Sequence, residues 1–357
     1  MTKTDKNGSP IKTFQIIAPV IIGLGVVAWL FHSEFNPDTW RLIDFTPHLI
    51  ICIAVAWLFM AGRDFGLTWR FRALTDRQLT WGQALKVNFL CEFTSAITPS
   101  AVGGSVLGMV FMHSEGIALG RATTLMMTTL LLDELFFVVS CPIIVAIIPY
   151  GELFGFSTSA DTTFASGIST VFWLVYAAIA VWTFILFMGI LVKPHGISRA
   201  LKWLFHFRIL RRWQPQVIAL GDNMVMTSAD LRTRSIKWWI EVFGATVLTW
   251  SSRYLVVNAL FLGFAPYADQ LVVFGRQFVV WVVLMVSPTP GGSGVSEWLF
   301  TEYYGDMLHE GGKSIALIIA LFWRIITYYV YLIVGTCILP GWLRKNFRKR
   351  TPKDAQQ

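Results

Sequence analysis

Apolar residues fall into long runs separated by short polar segments, and this pattern predicts a chain built from membrane-spanning helices. A helix needs about 20 predominantly apolar residues to match the hydrocarbon thickness of a bilayer. Six runs approach or exceed this length. They lie at 14–31, 47–62, 122–148, 170–192, 238–262 and 315–339.

Two stretches rich in proline and glycine interrupt this pattern. The first break, residues 97–105, reads ITPSAVGGS, and the second break, residues 286–297, reads VSPTPGGSGVSE. Proline removes a backbone donor and glycine disfavours a helix, so polar backbone groups are left free at a depth where hydrocarbon cannot satisfy them. Such a break is tolerated where protein or a water-filled cavity surrounds it. Paired breaks in the two halves of a chain are typical of a transporter's central site.

The segments on either side of each break are too short or too polar for a comfortable full span. We therefore predict two broken-helix hairpins, at 81–116 and 271–304. Each is either re-entrant or a pair of full crossings joined by a tight turn. The first hairpin is expected to begin and end on the cytoplasmic side, and the second on the opposite side. This relation is an inverted-topology repeat, the arrangement used for alternating access. The competing interpretation is a chance match between short proline-glycine motifs.

Composition agrees with a membrane protein. Of the 357 residues, 55% are hydrophobic and 14% are charged, which leaves no room for a sizeable soluble domain. The predicted fold class is an all-α polytopic integral membrane protein with about six full spans and two hairpins. A single transmembrane domain, 1–357, then divides into a first half (14–192), a basic amphipathic linker (193–237), a second half (238–339) and a basic tail (340–357).

The positive charges predict the orientation. Most of the 29 lysine and arginine residues lie at 1–12, 63–77, 193–237 and 344–353. The positive-inside bias assigns these segments to the cytoplasm, so a multi-pass protein of the inner (cytoplasmic) membrane with both termini cytoplasmic is predicted. The net charge of +8 does not indicate nucleic acid, because the clusters flank apolar spans and fit attraction to anionic lipids. Scattered cysteines and histidines predict neither a disulfide framework nor a metal site.

Charged residues inside the apolar runs are the candidate functional groups. Asp133 and Glu134 lie near the middle of a span, where an ionised carboxylate costs ~2.5–3.5 kcal/mol, so they are expected to face the protein interior. Arg253, Arg276 and Arg324 are candidates for bidentate phosphate contacts, which suit guanidinium better than ammonium.

The same residues also have structural interpretations. Arg324 paired with Asp133 or Glu134 would be a buried structural ion pair, and Arg276 would reach an interface. Glu297 follows the second break directly, which favours a functional role, and Glu92 precedes the first break and is a further candidate for lining the same cavity.

The two breaks resemble the signatures of the flippase-like transmembrane family typified by the membrane domain of lysylphosphatidylglycerol synthases. ITPSAVGG at 97–104 and SPTPGGSGVSE at 287–297 are similar to that family's two motifs in order and separation. The resemblance implies a protein that moves a phospholipid, or another polar-headed lipid, between leaflets, without the soluble aminoacyl-transfer domain of the full synthases. Carried over by position, it implies roles for Pro99, Gly103, Gly104, Pro288, Pro290, Gly291, Gly292, Gly294 and Glu297.

Freed backbone N–H groups near Gly103 to Ser105 and Gly291 to Gly294, at the starts of the helices that follow, would favour an anion. The full predicted substrate-binding set therefore adds Ser105, Asp133, Glu134, Arg253 and Arg324 to the motif residues.

Lipid translocation is the predicted function, and two alternatives stay open. An ion-coupled carrier of a small anionic solute shares the inverted repeat. An intramembrane lipid-modifying enzyme would use Asp133, Glu134 and Glu297 as acid and base. No enzymatic activity, cofactor or metal is predicted, and no nucleotide-binding loop occurs in the sequence. The predicted partners are membrane phospholipids and, as a candidate, a lipid-synthesising enzyme.

Overall fold

A computed structural model describes residues 45–98, 102–156, 162–192, 196, 225–287, 289–308 and 312–347, with side chains described at all of these except 102–106, 290 and 344–347. The described chain is helical and contains no strand. Eleven helices are labelled in chain order. They are α1 (Pro47–Leu74), α2 (Trp81–Ile97), α3 (Val102–Ser114), α4 (Leu119–Ile147), α5 (Tyr150–Phe154), α6 (Thr162–Phe187), α7 (Ile236–Phe264), α8 (Gln270–Leu284), α9 (Val295–Tyr304), α10 (Gly312–Arg324) and α11 (Val330–Phe347).

Five helical stretches in the described chain are long and apolar enough to cross a membrane. They are Pro47–Leu74, Leu119–Ile147, Thr162–Val192, Ile236–Phe264 and Gly312–Leu343, where the third and fifth include the π-helical turns Met188–Val192 and Ile325–Tyr329. They correspond to five of the six predicted runs, and the all-α polytopic fold is confirmed. The predicted first span, 14–31, lies outside the described residues, as do most of the linker and most of the tail.

Local sequence chemistry explains where several helices begin. Thr46 precedes Pro47, and its hydroxyl accepts the N–H of Leu49 at 3.3 Å, which caps α1. Thr80 and Gln83 form a reciprocal capping box at the start of α2. These caps satisfy backbone donors that would otherwise be free at the helix ends.

Small residues let α1 and α7 pack closely against each other. An added Cβ at Gly66 would lie 2.6 Å from the Thr249 hydroxyl and 3.1 Å from the carbonyl oxygen of Ala245, and one at Gly62 would lie 3.3 Å from the Ser252 hydroxyl. Spacing of small residues by four positions is a common way for helices to approach within a membrane. This packing joins the first half of the chain to the second.

The first hairpin, formed by α2 and α3, enters and leaves on one face. At 1.5 Å per residue its helices of 17 and 13 residues are roughly 26 and 20 Å long, shorter than the ~30 Å hydrocarbon core. Glu115, just after α3, accepts from Lys86 at 2.9 Å and from Gln83 at 3.2 Å, both in the first half of α2. The two outer ends of the hairpin are therefore adjacent, as a re-entrant hairpin requires.

The second hairpin, formed by α8 and α9, has the same construction. Arg276, close to the middle of α8, pairs with Asp306, just after α9, at 2.6 Å, and the amide of Gln277 donates to the Tyr304 hydroxyl at 2.7 Å. Arg276 also donates to the backbone oxygen of Glu152, which follows the end of α4.

The two hairpins enter from opposite faces. The outer end of the second lies beside the end of α4, as the contact with Glu152 shows. The outer end of the first follows the turn that carries Asp76, which pairs with Arg121 at the start of α4 at 2.6 Å. Because α4 runs from one face to the other, this opposite entry is the arrangement that an inverted repeat predicts.

The prediction that the basic segment 63–77 is a cytoplasmic loop is wrong for residues 63–74. Helix α1 continues to Leu74, and Arg63 and Arg70 are only 4% and 1% exposed. Both arginines are neutralised by carboxylates from other helices, which a count of positive charges along the sequence cannot reveal.

The turn after α1 carries a charged cluster that ties the two halves together. Asp76 accepts from Arg121 of α4 and, at 2.6 and 2.7 Å, from Arg234, which precedes α7. Burial raises the pKa of the Asp76 carboxyl, but the hydrogen bonds from Arg234 and Arg121 outweigh it and hold that pKa below its usual value.

Candidate functional site

The two breaks meet inside the helical bundle. The hydroxyl of Tyr328, from the π-helical turn after α10, donates to the carbonyl oxygen of Ala96 at 3.2 Å and accepts from Ser293 at 3.1 Å. Ala96 is at the inner end of α2, and Ser293 is in the second break. An added Cβ at Gly291 would lie 3.0 Å from the same Ala96 oxygen. The tips of the two hairpins are therefore in direct contact, and a π-helical turn, often found at functional sites, connects them.

Glycine is required by the backbone of the second break. Gly291, Gly292 and Gly294 have φ values of 58°, 70° and 84°, a region that other residues rarely adopt. Helix α8 ends at Leu284, and α9 begins only at Val295. The predicted interruption is confirmed here. At the first break, α2 ends at Ile97 and α3 already begins at Val102, so the predicted interruption is shorter than 97–105 and Gly103, Gly104 and Ser105 lie in the first turn of α3.

Arg324 and Glu297 hold the second break in place. Arg324 Nε pairs with Glu297 Oε1 at 2.8 Å, and its Nη1 donates to the carbonyl oxygen of Gly291 at 3.2 Å. The other oxygen of Glu297 accepts the N–H of Gly294 at 2.7 Å and the hydroxyl of Ser296 at 2.8 Å. Glu297 is 1% exposed, and both of its carboxylate oxygens accept hydrogen bonds from groups of the protein itself. It positions the break and caps α9.

A cavity of about 260 Å³, here called the central cavity, opens beside the joined tips. This volume is close to the lower end of the range typical for ligand pockets. Its charged lining residues are Arg63, Arg70, Glu92, Asp133, Glu134, Arg253 and Arg324. Hydroxyl groups of both breaks, from Thr98, Ser287 and Thr289, also reach it, and its apolar lining includes Leu67, Phe71, Met126, Leu130, Phe137, Leu284 and Met285.

One buried ion pair in the wall of the central cavity joins α1 to α4. Arg70 binds Asp133 through two hydrogen bonds, Nη1 to Oδ1 at 2.5 Å and Nη2 to Oδ2 at 3.1 Å. Arg70 also donates to the Thr246 hydroxyl, and Asp133 accepts the indole N–H of Trp250 at 2.7 Å. Bidentate pairing of this kind is strong and directional, so Asp133 is fully engaged within the protein.

A second buried network joins α1, α2 and the last span. Arg63 Nη2 pairs with Glu92 at 2.6 Å, while Arg63 Nη1 donates to Asp64 at 3.0 Å. Asp64 also accepts from Tyr331 at 2.8 Å and from Asn88 at 3.2 Å. Glu92 lines the cavity, as proposed from its position before the first break, but it is neutralised by Arg63.

Arg253 is the cavity arginine that remains available. In the part of the chain that the structure describes, its guanidinium forms neither an ion pair nor a hydrogen bond. It lies 4.6 Å from the ring centroid of Trp281 and 6.0 Å from that of Trp250, and these two indoles meet edge to face at 4.9 Å. Stacking of this kind holds a guanidinium while its edge keeps N–H donors for a ligand.

The structure brings six of the predicted site residues to the cavity wall. They are Asp133, Glu134, Arg253, Gly291, Gly292 and Arg324. Gly294 and Glu297 lie in and behind the second break without lining the cavity. Pro99 and Pro288 lie outside the described residues. For Pro290, Gly103, Gly104 and Ser105 the structure describes the backbone only, and the last three lie in the first turn of α3.

Two structural interpretations made from the sequence need correction. Arg324 does not pair with Asp133 or Glu134: its ion-pair partner is Glu297, and Asp133 pairs with Arg70. Arg276 does not reach an interface: it is 1% exposed, pairs with Asp306, and does not line the central cavity.

Sequence reasoning missed Arg63 and Arg70 as cavity residues. The signal was available, because Leu67, Phe71 and Leu74 continue the apolar pattern of α1 past Gly62, and residues seven apart lie on one helix face. The roles of Trp250, Trp281 and Tyr328 have no comparable signal, since tryptophan and tyrosine are common throughout a membrane protein's sequence.

The family model described as the lysylphosphatidylglycerol synthase TM region matches residues 16–335. A UPF0104 membrane protein from Archaeoglobus fulgidus is 21% identical over 328 residues, which cover 88% of this chain and 93% of that protein. No solved structure matches the chain significantly. Because the family match extends over nearly the whole chain and includes both breaks, the chain belongs to the lysylphosphatidylglycerol synthase TM region family.

Proposed function

We propose that this protein moves a phospholipid, or another lipid with a polar head, between the two leaflets of the cytoplasmic membrane, without changing it chemically. The observation that carries the proposal is the meeting of two hairpins, entered from opposite faces, at one charged cavity. A polar head needs such a chamber because hydrocarbon offers it no hydrogen bonds. The family's description, which names a lipid synthase, supports a lipid as the substrate.

The mixed lining of the central cavity favours a lipid over a small soluble anion. Charged groups lie beside apolar side chains such as Leu67, Met126 and Leu284. A head could sit among the charges while its glycerol and first methylenes contact the apolar wall. A site for a small anion needs no such wall, although the available guanidinium of Arg253 keeps anion transport as the second candidate.

Opposite entry of the hairpins also supports alternating access. Each hairpin has its outer end fixed on one face, and their tips share contacts through Tyr328. A small rocking of one hairpin against the other would open the cavity towards one leaflet while closing it towards the other. Both termini are placed in the cytoplasm in this proposal, and an enzyme that makes the lipid is the expected partner.

The test is lipid movement in vesicles that contain the purified protein. Phospholipids labelled with NBD on an acyl chain are reduced by external dithionite, so a lipid brought from the inner leaflet loses its fluorescence. We expect more quenching with protein than without it. The same quenching with and without protein, for every lipid tried, would refute the proposal.

A trapped soluble dye is the essential control, because dithionite is itself a small anion. Vesicles loaded with a water-soluble NBD compound report dithionite entry. Quenching of the trapped dye would show that dithionite itself enters and reduces the inner-leaflet lipid directly, and that result would favour the small-anion carrier instead.

A further inference from the structure

We infer that the central cavity selects a zwitterionic lipid head of the ethanolamine type, with its phosphate on Arg253 and its ammonium on Glu134. This inference rests on the proposed lipid transport and adds the class of headgroup. Most charged groups of the cavity are paired within the protein, and two of the described ones are left for a ligand.

Of the four described arginines that line the central cavity, three are already neutralised. Each forms a close ion pair with a carboxylate from another helix, so the positive charge that a phosphate would need is largely spent. The pairs are Arg63 with Glu92 at 2.6 Å, Arg70 with Asp133 at 2.5 Å, and Arg324 with Glu297 at 2.8 Å.

Arg253 is left to bind phosphate. Its guanidinium is held by the faces of Trp281 and Trp250, while no described carboxylate lies within 4.0 Å of it. An arginine fixed by stacking presents a planar edge of N–H donors, which suits two phosphate oxygens at once.

Glu134 is left to bind a cation. Its Oε2 is buried and has no hydrogen-bond partner, and the carboxylate forms no ion pair with any described residue. The neighbouring Asp133 cannot take this role, because Arg70 and Trp250 already occupy its oxygens. A carboxylate oxygen that is buried without a partner is costly, so a ligand that brings an ammonium group to Glu134 would be favoured.

Glu134 and Arg253 both line the central cavity. The indole N–H of Trp250 donates to Asp133, the residue before Glu134, and Arg253 lies 6.0 Å from the ring centroid of the same Trp250, so α4 and α7 present the two groups to one cavity. A ligand that carries phosphate and ammonium a few bonds apart could reach both. A glycerol head would satisfy Arg253 but would offer Glu134 only hydroxyl groups, and a second anionic group there would be repelled.

The experiment compares two lipids in the vesicle assay described above. Acyl-labelled phosphatidylethanolamine and phosphatidylglycerol are used as tracers in vesicles of one composition, and the label is on the chain because a label on the head would consume the amine. We expect the wild-type protein to move the ethanolamine lipid about tenfold faster, which is the effect of one charged hydrogen bond. Equal rates, or a faster glycerol lipid, would overturn the inference while leaving the proposed function intact.

Glu134→Gln keeps the shape and removes the negative charge. We expect this variant to bring the ratio of the two rates close to one, whereas Arg253→Gln should slow both lipids. The matched control is Glu302→Gln, which removes a half-buried carboxylate that is paired with Lys313 at 2.7 Å and does not line the cavity; it should keep the wild-type ratio. A Glu134→Gln protein that folds, judged by a monodisperse elution profile, and keeps the wild-type ratio would contradict the role of Glu134.

Two further outcomes separate the alternatives. If Glu134 carries a proton instead of meeting an ammonium, Glu134→Gln would slow both lipids equally and abolish their dependence on a pH gradient, which overturns the inference. Uptake of soluble glycerophosphoethanolamine without lipid movement would refute the inference that the ligand is a lipid. Absence of any lipid movement in wild type would instead remove the proposed function. If Glu134→Gln does not fold, the ratio of the two lipid rates in the wild-type protein still tests whether the cavity selects the ethanolamine head.

Discussion

Replacement of Gly291 by alanine tests whether the two hairpin tips touch as the structure places them. The new methyl group would overlap the ring of Tyr328 and lie 3.0 Å from the carbonyl oxygen of Ala96, on the other hairpin. Gly292 is the matched control: its φ of 70° is as unfavourable for alanine as the 58° of Gly291, but its Cβ would meet nothing nearer than 3.8 Å.

Two contributions set the loss of stability: the unfavourable backbone conformation and the steric overlap of the new methyl group. A left-handed conformation destabilises an L-residue by roughly 1–2 kcal/mol, and this applies to both variants. Overpacking in a dense interior adds about 1–3 kcal/mol, and this applies only to Gly291→Ala. We therefore expect Gly291→Ala to lose roughly 2–5 kcal/mol and Gly292→Ala roughly 1–2 kcal/mol of stability.

The assay is thermal unfolding in detergent, followed by the fluorescence of the 16 tryptophans. The apparent melting temperature should fall further for Gly291→Ala than for Gly292→Ala. In a Tyr328→Ala background the extra fall caused by Gly291→Ala should shrink, because the ring that it meets is gone and neighbouring substitutions are not additive. Equal shifts for the two glycines, or strict additivity with Tyr328→Ala, would refute the contact between the tips.

Three further predictions concern charges away from the second break. Asp133→Asn leaves Arg70 buried without its counter-charge and should cost about 3–5 kcal/mol of stability. The double variant Arg70→Met with Asp133→Leu should recover much of the lost melting temperature. A fully stable Asp133→Asn protein would contradict the buried ion pair. Arg276→Gln breaks the pair with Asp306 and should lower the melting temperature without altering the ratio of lipid rates, since Arg276 lies outside the cavity. A changed ratio would place it in the transport path. Asp76→Asn keeps the shape of the side chain at a backbone φ of 52° and removes its charge. The destabilisation should be full near neutral pH and should vanish as the pH falls through and below ~3.9, because the folded-state pKa of Asp76 is lowered. A melting-temperature difference that does not change with pH would exclude the charge as its cause.

The spans and the two breaks could be predicted because their causes are local. A run of apolar residues of bilayer length has few alternatives to a membrane helix, and the glycines at positions 291, 292 and 294 adopt conformations that other residues avoid. Even so, the end of the second run was placed at Gly62, whereas α1 continues to Leu74. Charged residues ended the run in the sequence, but partners from other helices allow Arg63 and Arg70 to stay buried.

The candidate site was only partly predictable, because its chemistry depends on which charges neutralise one another. Asp133, Glu134, Arg253 and Arg324 were all identified as intramembrane charges, yet the sequence assigned Arg324 to the wrong carboxylates. Its actual partner is Glu297, 27 positions earlier in the chain and brought alongside by the second break.

The amino-acid sequence by itself therefore determined the helical class, the positions of five described spans, and the two interruptions with their opposite entry. These follow from hydropathy, from the backbone limits of proline and glycine, and from the distribution of positive charge. The tertiary structure decided that the interruptions meet at one cavity, that three of its arginines are neutralised, and that Arg253 and Glu134 form no ion pair with any residue that the structure describes. Ion pairing inside a membrane is set by distances between different helices, and those distances are fixed only when the helices pack.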